Sequence, residues 1–207
     1  GIKKVKVTNL ITEGVIEAEN VEEIEMPILF NELRKVFCNL AVPYTLKKIT
    51  FTGGETLPAN YCKNIDALTT VVLPDSLTAI GASAFNSCYN LKNVTFGNSL
   101  TTINESAFYA CYRIKELNFP ASLKVIDSYA FMYCNAIERV VIPENVTTIN
   151  NDAFNICPSI KEVYNLSNLD IVARTSLFGR VAENVYYVYT SLDEENKIFF
   201  EGDYVFV

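Results

Sequence analysis

The residues best suited to chemistry in this chain are its six cysteines, because the 207-residue sequence contains no His and no Trp. Without His, a Ser-His-Asp triad, a Cys-His dyad and the His-containing zinc sites are excluded. No two cysteines form a C-x-x-C pair, which argues against zinc binding and thioredoxin-like chemistry. Cys88, Cys111, Cys134 and Cys157 instead follow one another at a constant interval of 23 residues. Such a regular interval is typical of a structural repeat rather than of a disulfide framework.

A 23-residue repeat organises most of the chain. Four successive units cover residues 68–90, 91–113, 114–136 and 137–159. Unit positions 1, 4, 6, 10, 13, 17, 18 and 21 are apolar in every unit, which fills 32 slots of 32 in a chain that is only 50% hydrophobic. Weaker copies flank these units at 46–67, where Cys62 takes the usual Phe slot, and at 160–180. Segments 2–7 and 21–27 resemble only the opening of a unit.

Each unit predicts one coil of a solenoid. Alternating apolar residues at positions 4 and 6 indicate a half-buried strand, which Pro or Gly at position 7 ends. Position 14 carries favoured helix N-caps, and apolar residues at 17, 18 and 21 then indicate one short helical turn. We therefore predict an α/β leucine-rich-repeat solenoid with a parallel β-sheet on its concave face and short helical turns on the other side. Adjacent strands should lie about 4.8 Å apart.

Stacking of these coils explains the cysteines. Residues at position 21 should lie above one another in the core, as the Phe residues of position 18 do. Cys is among the most frequently buried residue types and packs as a small hydrophobe. We therefore expect a buried ladder of thiols, and neither a disulfide framework nor a metal site.

The ends of the chain are expected to cap the solenoid. We predict a single leucine-rich-repeat domain over 1–207, with an N-terminal cap and degenerate repeats in 1–45, repeats in 46–180 that are best formed at 68–159, and a β-rich C-terminal cap in 181–207. One face of an amphipathic helix in the N-terminal cap would carry Leu29, Leu33, Val36, Phe37 and Leu40. Strands at 185–190, 197–200 and 204–207 would close the sheet and protect its edge.

The repeat unit L-x-x-[VIL]-x-[FIL]-P-x-[SN]-[LV]-x-x-I-x-x-x-A-F-x-x-C is similar to the BspA-like leucine-rich repeats of bacterial surface proteins. Its A-F-x-x-C signature recurs at Ala84-Phe85/Cys88, Ala107-Phe108/Cys111, Ala130-Phe131/Cys134 and Ala153-Phe154/Cys157. The match is continuous over 68–159 and extends, with departures, to about two-thirds of the chain. The resemblance implies an extracellular or cell-surface protein whose signal peptide has been removed. It also implies adhesion or contact with a host protein such as extracellular matrix, and it supplies no catalytic residue.

Two outward surfaces are candidate binding sites. The concave face presents positions 3 and 5, which include Asn93, Thr95, Glu116, Asn118 and Arg139. Concave faces of repeat proteins commonly bind partners, and an unspecialised solvated sheet is the alternative interpretation.

The second surface is a flank rich in tyrosine. Its members are Tyr89, Tyr109, Tyr112, Tyr129 and Tyr133. Tyr is enriched at binding hot spots, and ring stacking that protects the edge of the solenoid is the alternative.

Charge and composition narrow the function further. With 17 basic and 24 acidic residues, a net charge of −7 and no basic cluster, the chain is unsuited to nucleic acid. No apolar stretch is long enough for membrane insertion. Glu116 and Glu162 are a possible glycosidase pair, but they should lie two coils, about 10 Å, apart with no cleft between them.

We therefore predict a non-enzymatic, secreted or surface-displayed binding or adhesion module for a protein or glycan, with no cofactor and no metal. A structural spacer and a carboxylate-based glycan hydrolase are the alternatives.

Overall fold

The computed structural model describes residues 3–7, 20–28 and 42–169, together with three strands at 187–189, 199–201 and 204–206. Within these ranges the chain winds into coils whose strands pair in parallel with the strands of neighbouring coils. Each full unit has a front side at positions 3 to 5, a second side at positions 12 and 13, and a third side made of turns.

The front side is built from two five-stranded sheets. The first has the order β1 (Lys4–Lys6), β2 (Glu23–Met26), β3 (Lys48–Phe51), β5 (Thr70–Val72) and β7 (Asn93–Thr95), and all of its strands are parallel. The second has the order β10 (Arg139–Ile142), β12 (Glu162–Asn165), β13 (Tyr187–Tyr189), β14 (Phe199–Glu201) and β15 (Tyr204–Phe206). β10, β12 and β13 are parallel, and β14 pairs antiparallel with both β13 and β15. In both sheets of the front side, equivalent unit positions lie side by side.

The second side is one continuous parallel sheet, which we call the side sheet. Its strands are β4 (Thr56–Leu57), β6 (Ala79–Ile80), β8 (Thr102–Ile103), β9 (Val125–Ile126) and β11 (Thr148–Ile149). A helical segment, α1 (Val42–Thr45), precedes β3.

The third side has tight turns where the sequence predicted helical turns. Residues at unit positions 16 and 20 have positive φ in all four units, between 55° and 65°. Right-handed helices require negative φ, so a helix cannot continue through these positions. The backbone bonds instead alternate in direction: the Ala84 N–H donates to Gly81 in its own coil at 3.2 Å, and the Phe85 N–H donates to Ala107 of the next coil at 2.8 Å. The fold is therefore a parallel β-solenoid, and the α/β label with helical turns is not confirmed.

Position 14 links coils instead of capping helices. The side-chain amide of Asn104 donates to the carbonyl of Ile80 at 2.7 Å, and that of Asn150 donates to Asp127 Oδ1 at 2.6 Å. Gly81 occupies this position where a Cβ would lie 2.5 Å from the carbonyl oxygen of Leu57. The backbones of adjacent coils come too close there for any other residue.

The apolar slots of the repeat form the core, as predicted. Thirty of the 32 slots are buried, and the exceptions, Val94 and Phe119, are half-buried. The Phe residues of position 18 stack in a continuous column with ring centroids 5.1–5.2 Å apart and interplanar angles of 4–13°. Stacked coils thus bury identical side chains against one another.

The two ends agree with the sequence where they are described. The openings of the repeat recognised at 2–7 and 21–27 are the parallel strands β1 and β2. The predicted helix over Leu29–Leu40 lies outside the described residues. β13 and β15 lie inside the first and third of the predicted strands, and β14 overlaps the second.

Candidate functional site

The front side is interrupted in the middle of the best-formed repeats. Residues 115–119 occupy the strand position of unit 114–136 but form no strand, so the sheet ending at β7 is separate from the sheet beginning at β10. Their backbone N–H and C=O groups make no hydrogen bond to any described residue. The side sheet of the same coil is intact, since the Val125 N–H donates to Thr101 at 3.0 Å and the Thr148 N–H donates to Lys124 at 3.2 Å. The break is therefore confined to the front.

Two neighbouring aromatic rings accompany this break. Phe96 and Phe119 occupy position 6 in successive coils, with centroids 5.5 Å apart and planes tilted by 39°. Each also packs against the Phe column, Phe96 edge-on to Phe108 and Phe119 edge-on to Phe131. The same position holds Leu73 and Ile142 in the other two full units, in or beside strands that pair normally. The break therefore coincides with the two successive units that carry Phe at position 6.

A groove of about 710 Å³ lies at the interruption, and we call it the front groove. Its charged lining comprises three cations and three carboxylates: Lys115, Arg139, Lys161, Glu116, Glu138 and Glu162. No salt bridge joins any of these six to another described residue. Arg139 lies over the Tyr164 ring at 4.1 Å from its centroid, and the Tyr164 hydroxyl donates to Glu162 Oε2 at 3.3 Å. Tyr164 therefore orients both a cation and a carboxylate in the groove.

The N-terminal strands of the same face differ, because their charges are already paired. Four salt bridges join Lys3 to Glu22 (2.9 Å), Lys47 to Glu22 (2.9 Å), Lys4 to Glu23 (3.0 Å) and Lys6 to Glu25 (2.6 Å). Hydrogen bonds from Lys47 and Lys3 lower the pKa of Glu22 to about 2. The charges at this end of the face neutralise one another, whereas the charged side chains of the front groove make no salt bridge to a described residue.

The structure brings the predicted concave-face residues together around the interruption. Asn93 and Thr95 lie on β7 at one edge, Glu116 and Asn118 lie within it, and Arg139 lies on β10 at the other edge. All five are exposed.

Sequence reasoning missed part of the groove. Lys115, Glu138 and Lys161 at unit position 2 also line it, and the position had not been counted as part of the face. The expectation that no cleft lies between Glu116 and Glu162 is wrong, because both carboxylates line the front groove. Their spacing of two coils was readable from the repeat, but the missing strand pairing was not.

The tyrosines form two contacting pairs. The rings of Tyr89 and Tyr112 stack at 5.2 Å with planes 7° apart, and Tyr109 meets Tyr133 edge-on at 5.3 Å. Burial and the neighbouring Tyr133, Tyr112 and Tyr89 raise the pKa of Tyr109. Tyr129 is 38% exposed and makes no ring contact in the described part of the chain. Four of the five predicted tyrosines therefore pair with one another. Tyr89 and Tyr112 are stacked and exposed, whereas Tyr109 and Tyr133 are half-buried.

The cysteines form the predicted buried ladder. The five that are described are free thiols and are buried, while Cys38 lies outside the described residues. Four thiols donate to a carbonyl 26 residues earlier: Cys88 to Cys62 (3.1 Å), Cys111 to Phe85 (3.2 Å), Cys134 to Phe108 (3.3 Å) and Cys157 to Phe131 (3.1 Å). Among the described residues there is no cluster of His, Cys, Asp and Glu that could hold a metal ion. The thiols are structural.

Comparison with known families follows the same repeat. A family model described as the BspA type leucine-rich repeat region matches residues 55–181 in six copies. This chain belongs to the BspA-type leucine-rich repeat family. Six copies agree with four full units and the two flanking ones. BspA-type membership indicates a protein-binding or structural module and is typical of non-enzymatic proteins.

Three solved structures of leucine-rich repeat proteins share this fold. A leucine-rich repeat protein of T. pallidum is 22% identical with a TM-score of 0.54, and the alignment covers 78% of this chain and 64% of that one. A leucine-rich repeat protein of Bacteroides ovatus is 26% identical (TM-score 0.52; 70% and 35% covered). A leucine rich cell surface protein of Faecalibacterium prausnitzii is 19% identical (TM-score 0.53; 97% and 51% covered).

The likeness to these three structures shows the fold of this chain. The chain spans from about a third to two-thirds of the length of the three proteins. No curated protein matches it. None of the helices in the described ranges has the length and apolar character that crossing a membrane requires.

Proposed function

We propose that this chain is a secreted or surface-displayed adhesion module that holds a partner protein in the front groove. The main support for this proposal is that two features coincide at residues 115–119 and their neighbours. The backbone groups there make no hydrogen bond to a described residue, and the charged side chains make no salt bridge to one. Surface display is supported by the family and by the name of the F. prausnitzii protein, which is a cell surface protein.

The chemistry of the groove suits an extended segment of polypeptide. Unpaired backbone N–H and C=O groups at a strand position accept an added strand, and their hydrogen bonds supply affinity. Charged side chains beside the strand supply specificity and the rate of association. Position 3 carries Glu116, Arg139 and Glu162 in successive coils, and position 2 carries charges of the opposite sign in the same coils. A partner segment with alternating charges is the complement of that pattern.

Charge reversal in the groove tests this function. Binding of the intact chain to a panel of extracellular-matrix proteins is measured by surface plasmon resonance, for the parent and for a Glu116→Lys/Arg139→Glu variant. We expect binding of at least one matrix protein, weakened about tenfold or more in the variant because the groove then repels its partner. Glu144→Lys is the matched control, since Glu144 is exposed and does not line the groove. Equal losses in the variant and the control, or no loss in either, would refute the site, and no binding to any matrix protein would favour a structural spacer.

A glycan hydrolase is the other function that a specific observation favours, because Glu116 and Glu162 share the groove. Two coils separate them by about 10 Å, slightly beyond the 6.5–9.5 Å range of inverting glycosidases. Glu116 is also exposed, without the apolar pocket in which a general acid is usually held. Hydrolysis is tested by measuring the release of reducing ends from a panel of glycans. Release that Glu116→Gln abolishes would establish a glycan hydrolase and contradict the binding function proposed above.

A further inference from the structure

A second concavity lies where the tyrosine stack meets the front side. It has a volume of about 770 Å³, and we call it the corner pocket. Tyr112, Lys92, Arg113, Lys115 and Asn135 line it, with Glu138 at the side shared with the front groove. It joins two surfaces that the sequence treated as separate candidates, the tyrosine flank and the strand face.

One face of the Tyr112 ring borders this pocket. Tyr89 and Tyr112 occupy unit position 22 in successive coils, and the Tyr112 ring stacks on Tyr89 with one face only. The next coil has Asn135 at the same position, followed by the small residue Ala136, so the column of rings stops at Tyr112. Tyr112 is 41% exposed. The last ring of the stack is therefore partly exposed at the pocket, beside Asn135.

The charges of the corner pocket are unbalanced, unlike those of the front groove. Three cations, Lys92, Arg113 and Lys115, face one carboxylate, Glu138, which gives a local excess of +2 in a chain of net charge −7. All three cations are exposed, and none makes a salt bridge with a described residue. The pocket is therefore suited to an anion.

We propose that the corner pocket binds an anionic sugar residue, a uronate or a sulfated sugar, within a longer glycan. The flat ring of Tyr112 can pack on the C–H face of a pyranose, as aromatic side chains do on other apolar surfaces. Arg113 and the two lysines make charge-assisted hydrogen bonds to a carboxylate or sulfate. The Asn135 amide nitrogen donates to the carbonyls of Tyr133 and Ile156, each at 3.1 Å, which leaves the amide oxygen as an acceptor for a sugar hydroxyl. This binding is distinct from the protein-binding role proposed for the front groove, and neither requires the other.

Four probes separate the ligand classes. Hyaluronan oligosaccharides carry only carboxylates, heparin oligosaccharides carry sulfates as well, dextran oligosaccharides are neutral, and poly-glutamate is an acidic peptide. Binding to the intact chain is measured by calorimetry at low ionic strength, because salt screens exposed charges. We expect at least one of the two anionic glycans to bind about tenfold or more tightly than dextran, and more tightly than poly-glutamate. Binding of hyaluronan identifies a carboxylate as sufficient, and binding of heparin alone identifies sulfate.

Variants locate the site. Arg113→Gln/Lys115→Gln should weaken anionic-glycan binding about tenfold or more, since it removes charge-assisted hydrogen bonds. Tyr112→Ala should weaken it about threefold or more through loss of the stacking surface. Lys124→Gln and Tyr44→Ala are the matched controls, because both side chains are exposed outside the pocket, and they should leave binding unchanged. If the double variant fails to fold by circular dichroism, Lys92→Gln replaces it with the same expectation.

Three results would overturn the proposal. The first is that neither anionic glycan binds. The second is that poly-glutamate binds more tightly than both glycans, which would make the pocket a site for acidic peptide. The third is that the pocket variants bind as the parent does, or lose no more affinity than Lys124→Gln, which would show attraction to charge without a defined site.

Discussion

At the scale of single residues, the ladders of identical side chains explain both the stability and the chemical inertness of this solenoid. The five described cysteines lie in the core, and four of their thiols donate to the backbone of the preceding coil. Cys62 shows how strictly the geometry is kept, because it fills a Phe slot and its carbonyl accepts the bond that a Phe carbonyl accepts elsewhere. These thiols therefore pack in the core and do not serve as reactive groups.

Alkylation tests this role. Burial raises the pKa of Cys88 and of Cys157 to about 12, so both remain protonated and unreactive near neutral pH. We expect iodoacetamide to leave the five described cysteines unlabelled in the folded protein and to label them rapidly in urea, as read by peptide mass spectrometry. Labelling of Cys111 or Cys134 in the folded protein at the rate seen in urea would contradict the buried ladder.

The Phe column should carry much of the stability. Phe131 is fully buried and stacks between Phe108 and Phe154, with centroids 5.2 Å away on both sides. Phe131→Ala should lower the free energy of unfolding by about 3–5 kcal/mol, measured by urea denaturation. Phe131→Leu keeps most of the apolar volume and should cost less. A loss below about 1 kcal/mol for the Ala variant would mean that the cavity collapses or that position 18 does not support the core.

At the scale of elements, the N-terminal strands are held in register partly by ion pairs. The central one is Glu22, bonded to both Lys3 and Lys47. Its pKa falls from 4.5 to about 2 in the folded chain. Because the folded value is lower than the unfolded one, this contribution to stability is complete above about pH 4.5 and is lost as the pH falls through about 2.

A pH series on Glu22→Gln checks that sign. The thermal midpoint of the parent should exceed that of the variant near neutral pH, and the difference should shrink as the pH falls from about 4.5 to 2. Added salt should also reduce the difference, since the pairs are exposed. A difference independent of both pH and salt would show that Glu22 acts through packing alone.

The elements also show where sequence reasoning succeeds and where it fails. Apolar spacing was sufficient for the strands and the core slots, because burial selects side chains by hydrophobicity. It was insufficient for the turns, since Ser83, Tyr129 and Ile156 adopt positive φ without being Gly or Asn. Apolar spacing also did not predict the front break, because Phe119 and Ile142 are both apolar residues at position 6. A pattern of apolar positions predicts which side chains are buried, but it does not encode whether neighbouring strands pair.

At the scale of the whole molecule, regularity provides the scaffold and departures from it provide the candidate sites. The side sheet and the Phe column run without a break through the coils that contain the front break. A rigid core can therefore hold an open strand position in place. The front groove and the corner pocket both lie at this departure and share Lys115 and Glu138, so a protein and a glycan would meet on adjoining surfaces.

The front strand position of unit 114–136 is open, and amide hydrogen exchange measured by NMR can detect this openness residue by residue. The comparison is internal to one coil, between the Glu116, Leu117 and Asn118 amides of the front and the Val125 amide of the side sheet, which donates to Thr101. We predict that the three front amides exchange at rates close to those of an unfolded chain, while Val125 is strongly protected. Protection of Glu116 and Asn118 equal to that of Val125 would show a continuous hydrogen-bond ladder on the front side, and the strand position would then not be open.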